Sequence, residues 1–258
     1  MNPVRACRSR SGASGSSGRS GRRAPWRGLA TVAVALLPAW GWAADAITDA
    51  MQAAYVPYRA ALFRTNSKAQ AESEQAIAAA RAQWRALAER HGARPSAPYD
   101  RDAAFAATLK QVDEVYAKAE AQIAARQLPE AHETLEKARD LLSDLRRRNN
   151  VVVFSDHMNA YHEQMEHVLI DGPKVLAQPG GLLELAAQAG TLDYLARRLR
   201  SEAPAALAQD AEFKGLADAV EASVRALRAA IGRQDEAAVR DAIGKLKGPY
   251  SRLFLKFG

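Results

Sequence analysis

The segment FSDHMNAYHEQMEH, Phe154 to His167, gathers His157, Met158, His162, Met165 and His167. The whole chain has only five histidines and four methionines, so most of its soft and imidazole ligands sit in this one stretch. Thioether and imidazole together suit copper, and both serve as axial ligands of haem iron. On a helix beginning near Ser155 or Asp156, positions 158, 162, 165 and 169 fall 4, 3 and 4 apart and share one face. Met158, His162 and Met165 then form a compact three-ligand face with His157 at its edge. His132, in EAHETLEKARDLL, stands about 60° from Leu135 around its own helix and could supply a ligand from outside the segment. The expectation is a metal site for copper, or a cofactor site for haem b, on His162, Met158, Met165, His132 and His157. The competing reading makes the same face ordinary core, with His162 satisfied by a hydrogen bond.

Other chemistries lack their residues. No glutamate lies three positions before any histidine, which removes the Glu-x-x-His pattern of di-iron and di-manganese bundles, and HExxH is absent. There is no GxSxG and no phosphate-binding glycine loop, so the chain is expected to be non-catalytic. The run Arg146 to Arg148 could take an anion, or could complement a helix C-terminus in solvent.

The elements that carry these residues follow from composition and punctuation. Ala, Leu, Glu, Gln, Arg and Lys dominate from residue 47 onward, as in packed helices. Helical segments are expected over about 47–63, 68–90, 102–125, 129–148 and 155–170. Pro173, Pro179, Gly180 and Gly181 oppose a continuous helix and suggest a linker over 172–190, between an N-terminal helical bundle (47–171) and a C-terminal helical repeat (191–258). The repeat is legible in the letters: DAAF at Asp102 recurs as DAEF at Asp210. Behind each stand apolar residues at matched offsets, Leu109, Val112, Tyr116, Ala119 and Ile123 against Ala217, Val220, Val224, Leu227 and Ile231. The fold class expected is all-α, an antiparallel helical bundle with an internally duplicated helical hairpin. The closing Tyr250, Leu253, Phe254 and Phe257 share a face that should dock on the bundle, each large side chain contributing roughly 1.5–3 kcal/mol when buried.

The first 46 residues have the order of a secretory signal peptide: a long basic stretch, the apolar run GLATVAVALLPAWGWA, then small residues. Cleavage is expected near Ala43 or Ala46. The apparent isoelectric point of 9.7 belongs to this segment. The chain has 36 basic and 29 acidic residues; removing seven arginines and Asp45 leaves 29 against 28, a net charge of +1. The mature chain therefore offers no electrostatic case for nucleic acid. The sole cysteine, Cys7, departs as well, which excludes disulfides and thiolate chemistry downstream.

An exported, cysteine-free helical bundle with Met and His in its core resembles, in overall plan, the non-covalent cytochrome b-type four-helix bundles of the periplasm. The resemblance implies haem as a cofactor. It assigns no ligand, because that family draws its axial ligands from different helices and Met158 and His162 share one. Without a cofactor, the alternative is a helical scaffold or interaction module whose partner is a periplasmic protein. Localisation is expected to be periplasmic or secreted, with no transmembrane segment in the mature chain. N-terminal sequencing of exported material should begin at Ala44 or Ile47; an intact chain confined to the cytosol would overturn the export reading.

Overall fold

The computed structural model describes residues 45–258, so the signal-segment reading lies almost wholly outside the described residues. Ten α-helices follow one another: α1 (Ala46–Asn66), α2 (Gln70–His91), α3 (Phe105–Ala124), α4 (Leu128–Arg148), α5 (Phe154–Leu176), α6 (Gly181–Ser201), α7 (Ala205–Gln209), α8 (Ala211–Gly232), α9 (Glu236–Gly244) and α10 (Lys247–Phe257). A single 3-10 turn, Tyr99–Arg101, interrupts the loop before α3. No described helix is long and apolar enough to cross a membrane. Asp45 caps α1 by accepting from the Thr48 amide at 2.7 Å. Cleavage after Ala43 would keep that cap, and cleavage after Ala46 would remove it.

Two cores divide the helices. Helices α1 to α4 pack in a closed ring around Tyr58, Trp84, Tyr116 and Leu135. The second ring is α5, α6, α8 and the α9–α10 pair, closed over Met165, Leu192, Val224 and Leu246. Two large polar side chains of the first core are matched: Trp84 Nε1 donates to the Leu109 carbonyl at 2.8 Å and Tyr58 OH to the Leu135 carbonyl at 3.0 Å.

The two rings share a register. Phe105, Leu109, Val112, Tyr116, Ala119 and Ile123 are buried on α3, and the residues 108 positions later, Phe213, Ala217, Val220, Val224, Leu227 and Ile231, are buried on α8. The turn residues that follow, Arg126 and Gln234, also correspond, and both have φ near +60°. The same offset carries Ala131, Leu135, Ala138, Leu142 and Leu145 of α4 onto Val239, Ile243, Leu246, Tyr250 and Leu253. Where α4 is continuous, its counterpart breaks between Gly244 and Lys247, two residues before Pro249.

The boundary differs from the expected linker. Helix α5 runs through Pro173 to Leu176, and only residues 177–180 separate it from α6. Pro173 lies in the last turn, where a missing amide costs one bond, and Gly172 lets α5 approach closely. A Cβ at Gly172 would stand 3.1 Å from Ile243 Cδ1 and 3.4 Å from Leu185 Cδ2. The change of core comes at residues 149–153 instead. The C-terminus is docked, as its apolar face requires: Tyr250 and Leu253 are buried, and Arg59 donates through Nε and Nη2 to the Leu255 and Lys256 carbonyls, both at 3.1 Å.

Each arginine of the run at the end of α4 is paired with a carboxylate, Arg146 in the interior and Arg147 in solvent. Arg148 meets Asp102 at 2.7 Å and Arg147 meets Asp144 at 2.7 Å, while Arg146, 1% exposed, grips Asp156 at the start of α5 through Nε and Nη2. Asp156 also accepts the Val153 amide at 3.0 Å. Removing Asp156 would leave a buried, uncompensated guanidinium, so Asp156→Ala should cost about 3–5 kcal/mol in urea denaturation, against less than about 1 kcal/mol for Asp144→Ala on the exposed pair. Equal losses would show that the buried pair is not a fastening.

Candidate functional site

Helices α4 and α5 form an antiparallel hairpin, yet little apolar packing joins them. Polar rungs cross between them in sequence: Arg146 to Asp156, Asn159 Nδ2 to Ser143 Oγ at 3.4 Å, and Arg139 Nη1 to His162 Nδ1 at 2.9 Å. Such long side chains hold the helix axes apart. An open cleft of about 1110 Å³ results, walled by Glu136, Asp140 and Asp144 of α4 and by Glu163 and Glu166 of α5. Behind the Arg139 rung, α1 and α10 close a small cavity of about 50 Å³, bordered by His132, Glu136, Arg139, His162, Met165 and Lys247.

Proton positions in this cavity follow from the partners. A guanidinium only donates, so the His162 Nδ1 facing Arg139 must be bare, and the neutral ring carries its proton on Nε2, 3.5 Å from Glu166 Oε1. The ring stacks on Tyr250 at 5.4 Å between centroids, and Tyr250 OH donates to the Met158 carbonyl at 3.2 Å. His132 is set the other way round. Its Nδ1 lies 3.1 Å from the Leu62 carbonyl, which only accepts, so Nδ1 bears the proton and Nε2 is left as a lone pair 3.9 Å from Glu136. Burial pushes the His132 pKa below its usual value, with Glu136 acting in the opposite direction. Glu166 is held far the other way, from an ordinary 4.5 to about 2, chiefly by His162 and then by the Lys247 ammonium at 3.2 Å.

Of the expected ligands, His132, His162 and Met165 border this one cavity. Met158 is fully buried in the second core and does not line it. His157 faces α6, where burial and then Arg198 lower its pKa. Both His162 nitrogens already have partners, and Arg139 occupies the side from which a cation would approach. Among the described residues no group of three or more His, Cys, Asp or Glu stands close enough to hold a metal ion. About 50 Å³ has room for a few waters. It is far below the roughly 300 Å³ at which organic ligand pockets begin, and the cavity as it stands does not house a macrocycle.

The residues that sequence reasoning did not assign to this cavity are Glu136, Arg139, Glu166, Lys247 and Tyr250. A signal for two of them existed: HETLE at His132 and HEQME at His162 repeat the pattern His-Glu-x-x-Glu thirty residues apart. The hairpin brings the two copies face to face. Compared with known proteins, the chain matches no family model, no curated protein and no solved structure.

The depressed Glu166 carboxyl makes a pH prediction. A group whose folded pKa lies below its unfolded value stabilises the fold above the unfolded value, and that contribution is lost as pH falls through the folded one. For Glu166 the window runs from about 4.5 down to about 2. Glu166→Gln should therefore lower stability by about 1–3 kcal/mol near neutral pH, the size of a charge-assisted hydrogen bond. The gap from wild type should narrow as pH falls through that window, measured by denaturant titration at several pH values. A gap that stays constant down to the acid limit would show that the carboxylate charge is not what His162 and Lys247 hold.

Proposed function

We propose that this chain is an exported, non-catalytic helical module that binds a protein partner along the cleft between α4 and α5. One observation carries the reading: two adjacent helices, joined by a short loop, are kept apart by polar rungs and leave facing sides without a covering element. Helices α3 and α8 cover their apolar faces completely inside their own rings, so the unfilled α4–α5 side is not a general looseness of the fold. The matched registers of the two rings support the duplicated plan expected from the repeated hairpin, and a pair of stacked bundles presents an extended surface at their junction. In the cavity, the chemistry supports holding more than turnover. Its imidazoles are held by hydrogen-bond partners and its carboxylates are mostly engaged by Arg139 and Lys247.

Site-directed photocrosslinking tests the assignment. In a Cys7→Ser background, a benzophenone attached at Ala160→Cys, in the cleft, should capture a discrete partner from the cells that produce the protein. The same probe at Glu72→Cys on the outer face of α2 should not. Equal capture at both positions, or none in the cleft, would overturn the cleft as the binding surface.

A further inference from the structure

We infer that the occupant of the α4–α5 cleft is a cationic amphipathic helix of a partner protein; this deepens the binding-module reading and rests on it. The first argument is charge. Six carboxylates line the cleft, Glu136, Asp140, Asp144, Asp156, Glu163 and Glu166, against Arg139 and Arg147. Adding Arg146 and Lys247, which pair with Asp156 and Glu166, the carboxylates still lead by six to four.

The surplus is localised. The rungs pair residues 146 with 156, 143 with 159 and 139 with 162, and Asp140 and Glu163 each stand one residue beyond the Arg139–His162 rung on their own helix, both lining the cleft. Asp140 has only the 3.4 Å contact with its neighbour Arg139, and Glu163 has no ion-pair partner among the described residues. Carboxylates of one cleft repel, and a partner cation lying near both would turn that repulsion into attraction.

The second argument is shape. From Phe154 to Ile170 the α5 wall covers about 24 Å at 1.5 Å per residue. The cleft of about 1110 Å³ runs along that wall and is open on one side, which is the setting in which a helix lies in a groove. An extended segment would bring backbone amides and carbonyls that two helical walls cannot satisfy, since their own backbone groups are already paired; a helix satisfies its own. The third argument is the apolar trim. Val152 at the closed end is 70% exposed and Ile170 at the open end is 60% exposed, and both line the cleft. Large exposed side chains at the two ends of a charged groove fit apolar residues at the two ends of the partner helix.

The test uses two labelled synthetic helices, one of leucine and lysine in an amphipathic pattern and one with glutamate in place of lysine, titrated against the full chain by fluorescence anisotropy. The lysine helix should bind, more weakly at high salt, and the glutamate helix should not. Asp140→Lys with Glu163→Lys should weaken the lysine helix at least tenfold, whereas Glu72→Lys with Glu89→Lys on α2 should change it less than about twofold, excluding a general charge effect. Thermal melts of both double variants verify that they fold. Equal binding of the two helices, or unchanged binding by the cleft variant, overturns the cationic occupant. A lysine peptide carrying a central proline should lose binding; if it binds as well as the unbroken helix, the helical occupant is wrong. Cleft crosslinking without lysine-helix binding leaves the binding-module reading standing and rejects this inference alone.

Discussion

The buried pair of Arg146 and Asp156 sets the geometry on which the cleft depends. Among the described residues Arg146 is the one arginine counted with the largest fully buried side chains, and it can stay buried because Asp156 meets it with both oxygens. Asp156 simultaneously accepts the Val153 amide at the start of α5. One carboxylate thus fastens the end of α4, the start of α5 and the chain between them. From that fixed apex the two helices run back antiparallel, each rung a different polar pair. Replacing the rungs by small apolar residues would let the helices approach and narrow the cleft. Polar rungs cost stability relative to a packed seam, and what they maintain is separation.

The same junction explains why two rings of matched register are not interchangeable. Helix α4 is continuous over 21 residues, and its counterpart is divided into α9 and α10. After the division α10 lies against α1, where Arg59 donates to the Leu255 and Lys256 carbonyls and Tyr250 stacks on His162. A continuous helix in that place would carry Lys247 and Tyr250 along the ring's own axis. The break therefore brings one cation and one aromatic ring from the second bundle to the cavity beside the first bundle's histidine.

Much of this was legible in the letters, and the limits have physical reasons. Periodicity placed the long helices because burial repeats along one chain direction: the stripe from Phe105 to Ile123 and its echo from Phe213 to Ile231 need no knowledge of partners. Pro173 misled because local propensity opposes a helix, while packing of α5 against α6 and α9 favours one and sets Gly172, without a side chain, at the crossing. The His and Met concentration was visible, but its orientation was not. Met158 and Met165 do take the core-facing positions that the 4, 3, 4 spacing describes, and the histidine between them is turned by Arg139, 23 positions earlier. A partner across a hairpin leaves no periodic trace in either helix, so neither the rungs nor the Arg139 contact could be read from spacing. The doubled His-Glu-x-x-Glu could have been, since it pairs a ring and a carboxylate one turn apart on two successive helices.

The two histidines fit the cavity to the role of floor beneath the proposed binding surface. Each copy of the motif presents an imidazole and a glutamate one turn later, but Arg139 and Lys247 enter between the copies as permanent internal cations. Without them, four ligand-type side chains would face one another across the hairpin. With them, Glu136 and Glu166 are largely compensated, and the negative charge left over lies further out, at Asp140 and Glu163. Inner carboxylates that are compensated keep the hairpin stable in the absence of any ligand. Outer carboxylates that are not compensated remain available to whatever enters the cleft. The spatial order of charges, neutralised at the floor and uncompensated at the rim, supports reversible electrostatic docking over tight capture of an ion in the interior.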